Sequence, residues 1–299
     1  MKKYFVLVLF CIAGNTLFAQ MGMGKPEDIK TVANRTMFVV LKSEEKETLE
    51  ELKNKPDELK AYQQAIEEYN DGAREAFTKN WKFSKEIKYV YKASFDSLKQ
   101  ASKKGTGTPF AYFAPEMHNL RGGTKFGKAA RQYSLMIGLS EKLMPVFTTV
   151  IRDPNPTEGD ITYTIQLALD YFDLRLKDKS RKDIVAEIDA RTPAIKNKIL
   201  IINKDMANEK LKKDIATIYK YEYELCSKDA IEKAIINHDA RYAFVRSLPM
   251  QGAFNPGDVT YEQYIVNAED GSTMYGLGGD IKGEVSKSHI EKLAKVLSK

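Results

Sequence analysis

Apolar residues form two kinds of pattern along this chain, short continuous runs and a helical repeat, and together these predict strands joined by helices. Residues 36–41 and 199–202 are continuous apolar runs rich in β-branched residues, which is typical of strands covered on both faces. From Pro56 to Trp81 the apolar residues recur at every third or fourth position, which predicts a long helix with one face in the core. This alternation of strands and helices predicts the α/β class.

A block of this pattern occurs twice, at residues 89–113 and 221–245. Each copy is an alternating Tyr-x-Tyr run, then Ser-x-Asp, then an aromatic-Ala-aromatic run. The two serines, Ser94 and Ser227, are 133 positions apart (227 − 94), whereas the preceding strand segments, which begin at Thr36 and Lys198, are 162 apart (198 − 36). We interpret the difference as an insertion in the first copy, filled by the long helix. The sequence thus predicts two related modules of strand–helix–strand–helix–strand.

These patterns also predict how the chain is divided. The predicted parts are a signal peptide (1–19), a flexible lead-in (20–34), a first module (35–178) with the inserted helix (about 56–81), and a second module (179–299). A helix is expected to begin at Asp160 as its N-cap and to end at Leu176. In the second module, Asp270-Gly271 between two alternating runs predicts a β-hairpin, and a closing helix is predicted after it.

Charge and hydropathy at the N-terminus predict export. Lys2 and Lys3 precede an apolar run of about ten residues, too short to span a bilayer, and Ala19 offers a cleavage site. We therefore expect the periplasm or the cell exterior, with association with the outer membrane as one option. The remaining chain has a formal charge of +4, from (47 − 2) − 41, with both signs interspersed. Such a chain is not expected to bind nucleic acid, and no second apolar stretch approaches spanning length.

One basic loop is the candidate binding site. Residues 122–128 match the G-x-x-x-x-G-K part of a phosphate loop, but Ala129 stands where Ser or Thr would hold magnesium, and a strand is predicted after it in place of a helix. A surface loop is the better interpretation. Its four basic residues could attract an anionic partner: Arg121, Lys125, Lys128 and Arg131.

The remaining polar motifs have structural explanations. Ser94 and Ser227 stand at predicted helix starts, so we interpret them as N-caps in preference to catalytic residues. Cys226, the one cysteine after the signal peptide, is expected to be a buried structural thiol. The three histidines are scattered, so no metal site is predicted. No catalytic residue is assigned and no cofactor is predicted.

Leu17-Phe18-Ala19-Gln20, the Lys- and Tyr-rich composition and the strand followed by a Ser-x-Asp helix start resemble the signal-peptide-bearing periplasmic or secreted proteins of Bacteroidota that have no assigned activity. The resemblance implies an envelope location and no particular chemistry. Two hypotheses remain open. The preferred one is a non-enzymatic envelope protein that binds a protein partner or a ligand between its two modules. The alternative is a hydrolase or transferase acting on envelope carbohydrate, peptide or lipid.

Overall fold

A computed structural model describes residues 24–119, 131–251 and 259–299. The elements of the first half are α1 Pro26–Ala33, β1 Thr36–Leu41, α2 Lys46–Leu52, α3 Pro56–Asn80, β2 Glu86–Tyr91, α4 Lys92–Lys103, β3 Ala111–Asn119, β4 Arg131–Leu139, β5 Phe147–Ile151 and α5 Glu158–Leu176. Those of the second half are α6 Arg181–Arg191, a 3₁₀ turn at Thr192–Asn197, β6 Ile199–Asn203, α7 Glu209–Ile218, β7 Tyr223–Cys226, α8 Lys228–Ile236, β8 Tyr242–Gln251, β9 Val259–Asn267, β10 Thr273–Asp280 and α9 Lys287–Leu297.

The strands form two five-stranded sheets of the same topology. Their orders are β2-β1-β3-β4-β5 and β7-β6-β8-β9-β10. In each sheet the first three strands are parallel and the last two are added antiparallel. The predicted α/β fold of two related modules is confirmed. Each module is larger than predicted, because the predicted C-terminal hairpin β9–β10 has a counterpart, β4–β5, in the first module.

The strand pairing corrects the alignment of the two copies. Ala111 pairs with Met37 and Ala243 pairs with Leu200, so these alanines are equivalent, at an offset of 132 (243 − 111). Met37 is then equivalent to Leu200, at an offset of 163 (200 − 37), one more than the apolar runs gave. A slip of one residue would turn every side chain of the strand to the other face, so the paired register is the meaningful one.

The offset between the two Ser-x-Asp motifs also needs correction, as the helix starts show. α4 begins directly after Tyr91 and α8 directly after Ser227, an offset of 136 (227 − 91) that replaces 133. The Ser227 hydroxyl accepts a hydrogen bond from Ala230 N, so its predicted role as N-cap is confirmed. The prediction for Ser94 is wrong. It lies inside α4, because β2 passes directly into a helix that begins at Lys92 and has no side-chain cap.

Two further predictions near helix starts are also corrected. The segment predicted as a flexible lead-in contains α1, a helix that Pro26 opens and that is held by the buried side chains Ile29 and Val32. The long C-terminal helix of the first module begins at Glu158, not at Asp160. Its N-cap is Thr157, and Asp160 is the third residue of a capping box, in which its carboxylate accepts from Thr157 N at 3.2 Å.

Helix α5 joins the two modules in one core. Thirteen of its 19 residues are buried, which is expected of a helix enclosed on all sides. It packs on α3 of the first module and on α8 of the second, and side chains from both sheets belong to one apolar cluster. The predicted long helix is present as α3, and its buried stripe includes Tyr69, Ala73 and Phe77. Among the helices of the described ranges, none combines the length and the apolar character needed to cross a bilayer.

Candidate ligand site between the modules

A cavity of about 450 Å³ lies between the two modules. The first module contributes the turn after β5 and the start of α5, and the second contributes the end of β6 with the turn after it, the middle of β8 and one face of α8. Ligands of open α/β sheets bind outside the carboxyl ends of the parallel strands, and this cavity lies at that end of β6. Its apolar wall is formed by Met206, Ile231, Ile235, Phe244 and Val245.

An anchored arginine faces this cavity. Arg246 Nη2 donates to Asp160 Oδ1 at 2.6 Å, and the guanidinium lies 4.8 Å from the centre of the Tyr163 ring. The two charged side chains are only 16% and 9% exposed, respectively. Burial alone would raise the pKa of Asp160, but the charge and the N–H group of Arg246 outweigh it and hold that pKa below its usual value.

The guanidinium of Arg246 retains unused donors. It carries five N–H groups, and the bond to Asp160 uses one of them. Nε and Nη1 have no partner among the described residues, yet they are not sealed inside the core, because the side chain lines the cavity. Asp160 and the Tyr163 ring fix the orientation of the guanidinium, so it presents these donors in a defined direction.

A second carboxylate, Glu232, lies close to the first. The hydroxyl of Thr157 donates to Glu232 Oε1 at 3.0 Å and lies 3.3 Å from Asp160 Oδ2, so it connects the two carboxylates. Burial raises the pKa of Glu232, Lys228 at 3.4 Å opposes this, and the negative charge of Asp160 reinforces it. The pKa values of the two neighbouring carboxyls are therefore shifted in opposite directions.

Comparison of the two modules shows that the scaffold does not require the arginine. Arg246 lies three residues after Ala243, and Ala114 lies three residues after the equivalent Ala111. Ala114, which is buried, therefore occupies the position of Arg246 in the first module. At the start of α9, Ser286 N donates to His289 Nδ1 as Thr157 N does to Asp160, so His289 occupies the position of that carboxylate. A buried ion pair seldom adds net stability. The Arg246–Asp160 pair is therefore a candidate for a functional role.

By contrast, an ordinary ion pair of the scaffold is present in both modules. Lys92 and Asp96 pair on α4 as Lys228 and Glu232 do on α8, at equivalent positions. The pair on α4 is more than half exposed, whereas Glu232 is largely covered by α5. Packing between the modules thus converts a surface carboxylate into a partly buried one.

Three of the four basic residues predicted as a binding site, Arg121, Lys125 and Lys128, lie outside the described residues, as does the phosphate-loop-like motif. Arg131 begins β4 and pairs through its backbone with Asn119. An anionic partner for this loop stays a prediction.

Cys226 and His238 have structural surroundings. Cys226 is buried, as predicted, and burial raises the pKa of its thiol to about 11. His238 bridges the modules, with Nε2 at 2.6 Å from Asn80 Oδ1 and Nδ1 at 2.8 Å from the carbonyl oxygen of Glu269. In the part of the chain that the structure describes, no group of three or more metal-ligating side chains comes together.

Sequence reasoning missed Arg246 and Glu232, although the pattern of β8 contained a sign of the first. Residues 244, 246 and 248 share one face of the strand, and Phe244 and Leu248 are apolar core residues, so a charge between them points into the protein. No comparable sign marks Glu232, because the equivalent residue of the first module lies on the surface. No family model, curated protein or solved structure matches the chain, so the chemistry of the cavity is the basis for inferring its function.

Proposed function

We propose that the chain is an exported, non-enzymatic binding protein that holds a small ligand in the cavity between its modules. The observation that carries the proposal is Arg246, which is fixed by Asp160, lines the cavity and has N–H groups with no partner among the described residues. A ligand there would contact both modules at once. Binding would therefore also stabilise the packing of one module on the other.

The size and lining of the cavity support this proposal. Its volume, about 450 Å³, is within the range of roughly 300–1,000 Å³ that is usual for small-molecule sites. Such sites have mostly apolar walls and a few fixed polar groups that orient the ligand. Here the wall is aliphatic and aromatic, and the fixed polar groups are Arg246, Glu232 and Asn203.

The test is to purify the protein from the envelope fraction of its own cells and to identify co-purifying small molecules by mass spectrometry after denaturation. N-terminal sequencing of the same material checks export, with a start near Gln20 expected. Ile231→Trp fills the cavity and should abolish retention of the molecule. Phe95→Trp, at the equivalent helix position of the first module, is the matched control and should retain it. Recovery of no molecule, together with no hit in a small-molecule binding screen, would reject the proposal.

A hydrolase or transferase is the second candidate, and one specific observation favours it. Glu232 and Asp160 lie on either side of the Thr157 hydroxyl with their pKa values shifted apart, which is how paired carboxyls divide the roles of acid and base. Against it, Asp160 already serves both Arg246 and the helix start. Conversion of an added small molecule by the wild type, lost in Glu232→Gln, would establish the enzyme and displace the binding protein.

A further inference from the structure

We propose that the ligand of this cavity is a small carboxylic acid with an apolar group, whose carboxylate binds the guanidinium of Arg246. This inference depends on the proposed function and identifies the class of ligand. The apolar part would lie against the wall formed by α8 and β8. The structure supports it through the geometry of the arginine, the charge balance of the cavity and the position of Glu232.

The geometry favours a planar acceptor with two oxygens. The guanidinium fork matches a carboxylate through two parallel N–H···O bonds, and such bonds are stronger when the donor is held in place. Asp160 occupies one N–H, and the Tyr163 ring covers one face of the guanidinium. These contacts leave the remaining N–H groups for a ligand in the cavity that Arg246 lines.

The charge balance favours a single negative charge over two. The charged groups that line the cavity are three cations (Arg152, Lys228 and Arg246) and four carboxyls (Asp153, Asp160, Asp205 and Glu232). When Glu232 is protonated, their charges sum to zero (3 − 3), so a bound carboxylate adds one negative charge. A phosphate with two charges would add two, which is less favourable in a partly desolvated site.

Glu232 should therefore take up a proton when the acid binds. Burial and Asp160 already raise the pKa of Glu232, and a ligand carboxylate nearby would raise it further. Binding would then strengthen as the pH falls. The groups that face Glu232 from the surrounding elements, or line the same cavity, are Lys228 on α8, Thr157 and Asp160 at α5, Arg246 on β8, Arg152 and Asp153 after β5, and Asp205 after β6.

The experiment measures the affinity of the full chain for matched probes by titration calorimetry. The probes are acid–amide pairs that differ only in charge, such as 4-phenylbutanoate and 4-phenylbutanamide, together with 3-phenylpropyl phosphate. The acids should bind roughly 10- to 100-fold more tightly than their amides, as expected for a hydrogen bond to a charged group, and more tightly than the phosphate. Arg246→Lys, which keeps the charge beside Asp160 but loses the fork, should weaken the acids by about 10-fold.

The pH dependence of acid binding is a second test, and it does not require the arginine variant. The affinity of the wild type for the acids should rise between about pH 8 and about pH 5, a range above the usual carboxyl pKa. Glu232→Gln should bind the acids without this rise. Asp96→Asn, its counterpart on α4, should behave as the wild type.

The possible outcomes separate the two proposals. If amides bind as tightly as acids, and Ile231→Trp abolishes both, the cavity is a ligand site and the carboxylate inference fails. The same inference fails if acid binding is unchanged in Arg246→Lys or shows no pH dependence that Glu232→Gln removes. If neither acids nor amides bind, and the native protein carries no molecule, the carboxylate inference and the proposed function both fail.

Discussion

Arg246→Met tests whether the inter-module ion pair is as desolvated as the structure shows. The side chain of Asp160 is only 9% exposed, so removing its partner leaves a nearly buried charge. Breaking a buried pair on one side typically costs about 3–5 kcal/mol of unfolding free energy. We expect about 3 kcal/mol here, because Asp160 keeps the hydrogen bond from Thr157 N.

The double variant Asp160→Asn/Arg246→Met separates the charge from the packing. Its amide still accepts from Thr157 N but leaves no buried charge, so we expect a loss of only about 1 kcal/mol, roughly that of a weakened helix cap. The two substitutions should therefore be coupled by about 2 kcal/mol or more, as residues in direct contact can be. Urea unfolding followed by circular dichroism measures the free energies, and an unchanged slope would show that both states keep their compactness.

The pH dependence of the stability loss in Arg246→Met gives a result that could refute this reasoning. The pKa of Asp160 is lowered in the folded protein, so the stability from this pair is present above the unfolded carboxyl pKa and is lost as the pH falls through the folded pKa. The difference in stability between wild type and Arg246→Met should therefore shrink as the pH is lowered from about 7 towards about 3. A difference that is constant over this range, or a double variant that loses the sum of both single losses, would show that the pair is not a coupled buried charge.

Three further predictions test the fold. Ser227→Ala should cost about 1 kcal/mol because it removes an N-cap, whereas Ser94→Ala should be nearly neutral; equal losses in urea unfolding would contradict the corrected register. Gly138→Ala should cost about 1–3 kcal/mol, because the new methyl group would collide with the Tyr112 ring packed over this position, and a variant with unchanged stability would show that the ring can move aside. Cys226 should react with a thiol reagent at about pH 8 only on unfolding, since burial raises its pKa to about 11, and fast labelling of the native protein would disprove that environment.

Local sequence was enough to predict most of the elements and the duplication. β1 matches its predicted bounds, α3 ends one residue before the predicted Trp81, and the Asp270-Gly271 hairpin is present. These features depend on residues near one another in the chain, whose periodicity and turn chemistry are visible in a single sequence. α1 is an exception, because Gly24 and Pro26 are typical of a flexible segment and the helix depends on the burial of Ile29 and Val32 in the core.

The sequence was insufficient for features that depend on contacts between distant segments, namely the equivalence of residues in the two modules and the burial of their side chains. The Ser-x-Asp motifs looked equivalent at an offset of 133, but the pairing of β2 with β1 and of β7 with β6, together with the helix starts, sets the true offset at 136 and makes Glu232 the counterpart of Asp96. Each of these carboxylates pairs with a lysine four residues earlier on its helix, yet Asp96 is on the surface and Glu232 is covered by α5.

The candidate site also depends on contacts between distant segments. A lone arginine between apolar residues of β8 could have been marked as inward-pointing from its parity alone. Its partner Asp160 lies 86 residues earlier in the chain and was predicted only as a cap. Periodicity determined which faces of this protein are apolar, whereas only the packing of α5 against the second sheet decided which charges lose their water and face a cavity together. The reason is that desolvation depends on every segment that covers a group, and most of those segments are far away in sequence.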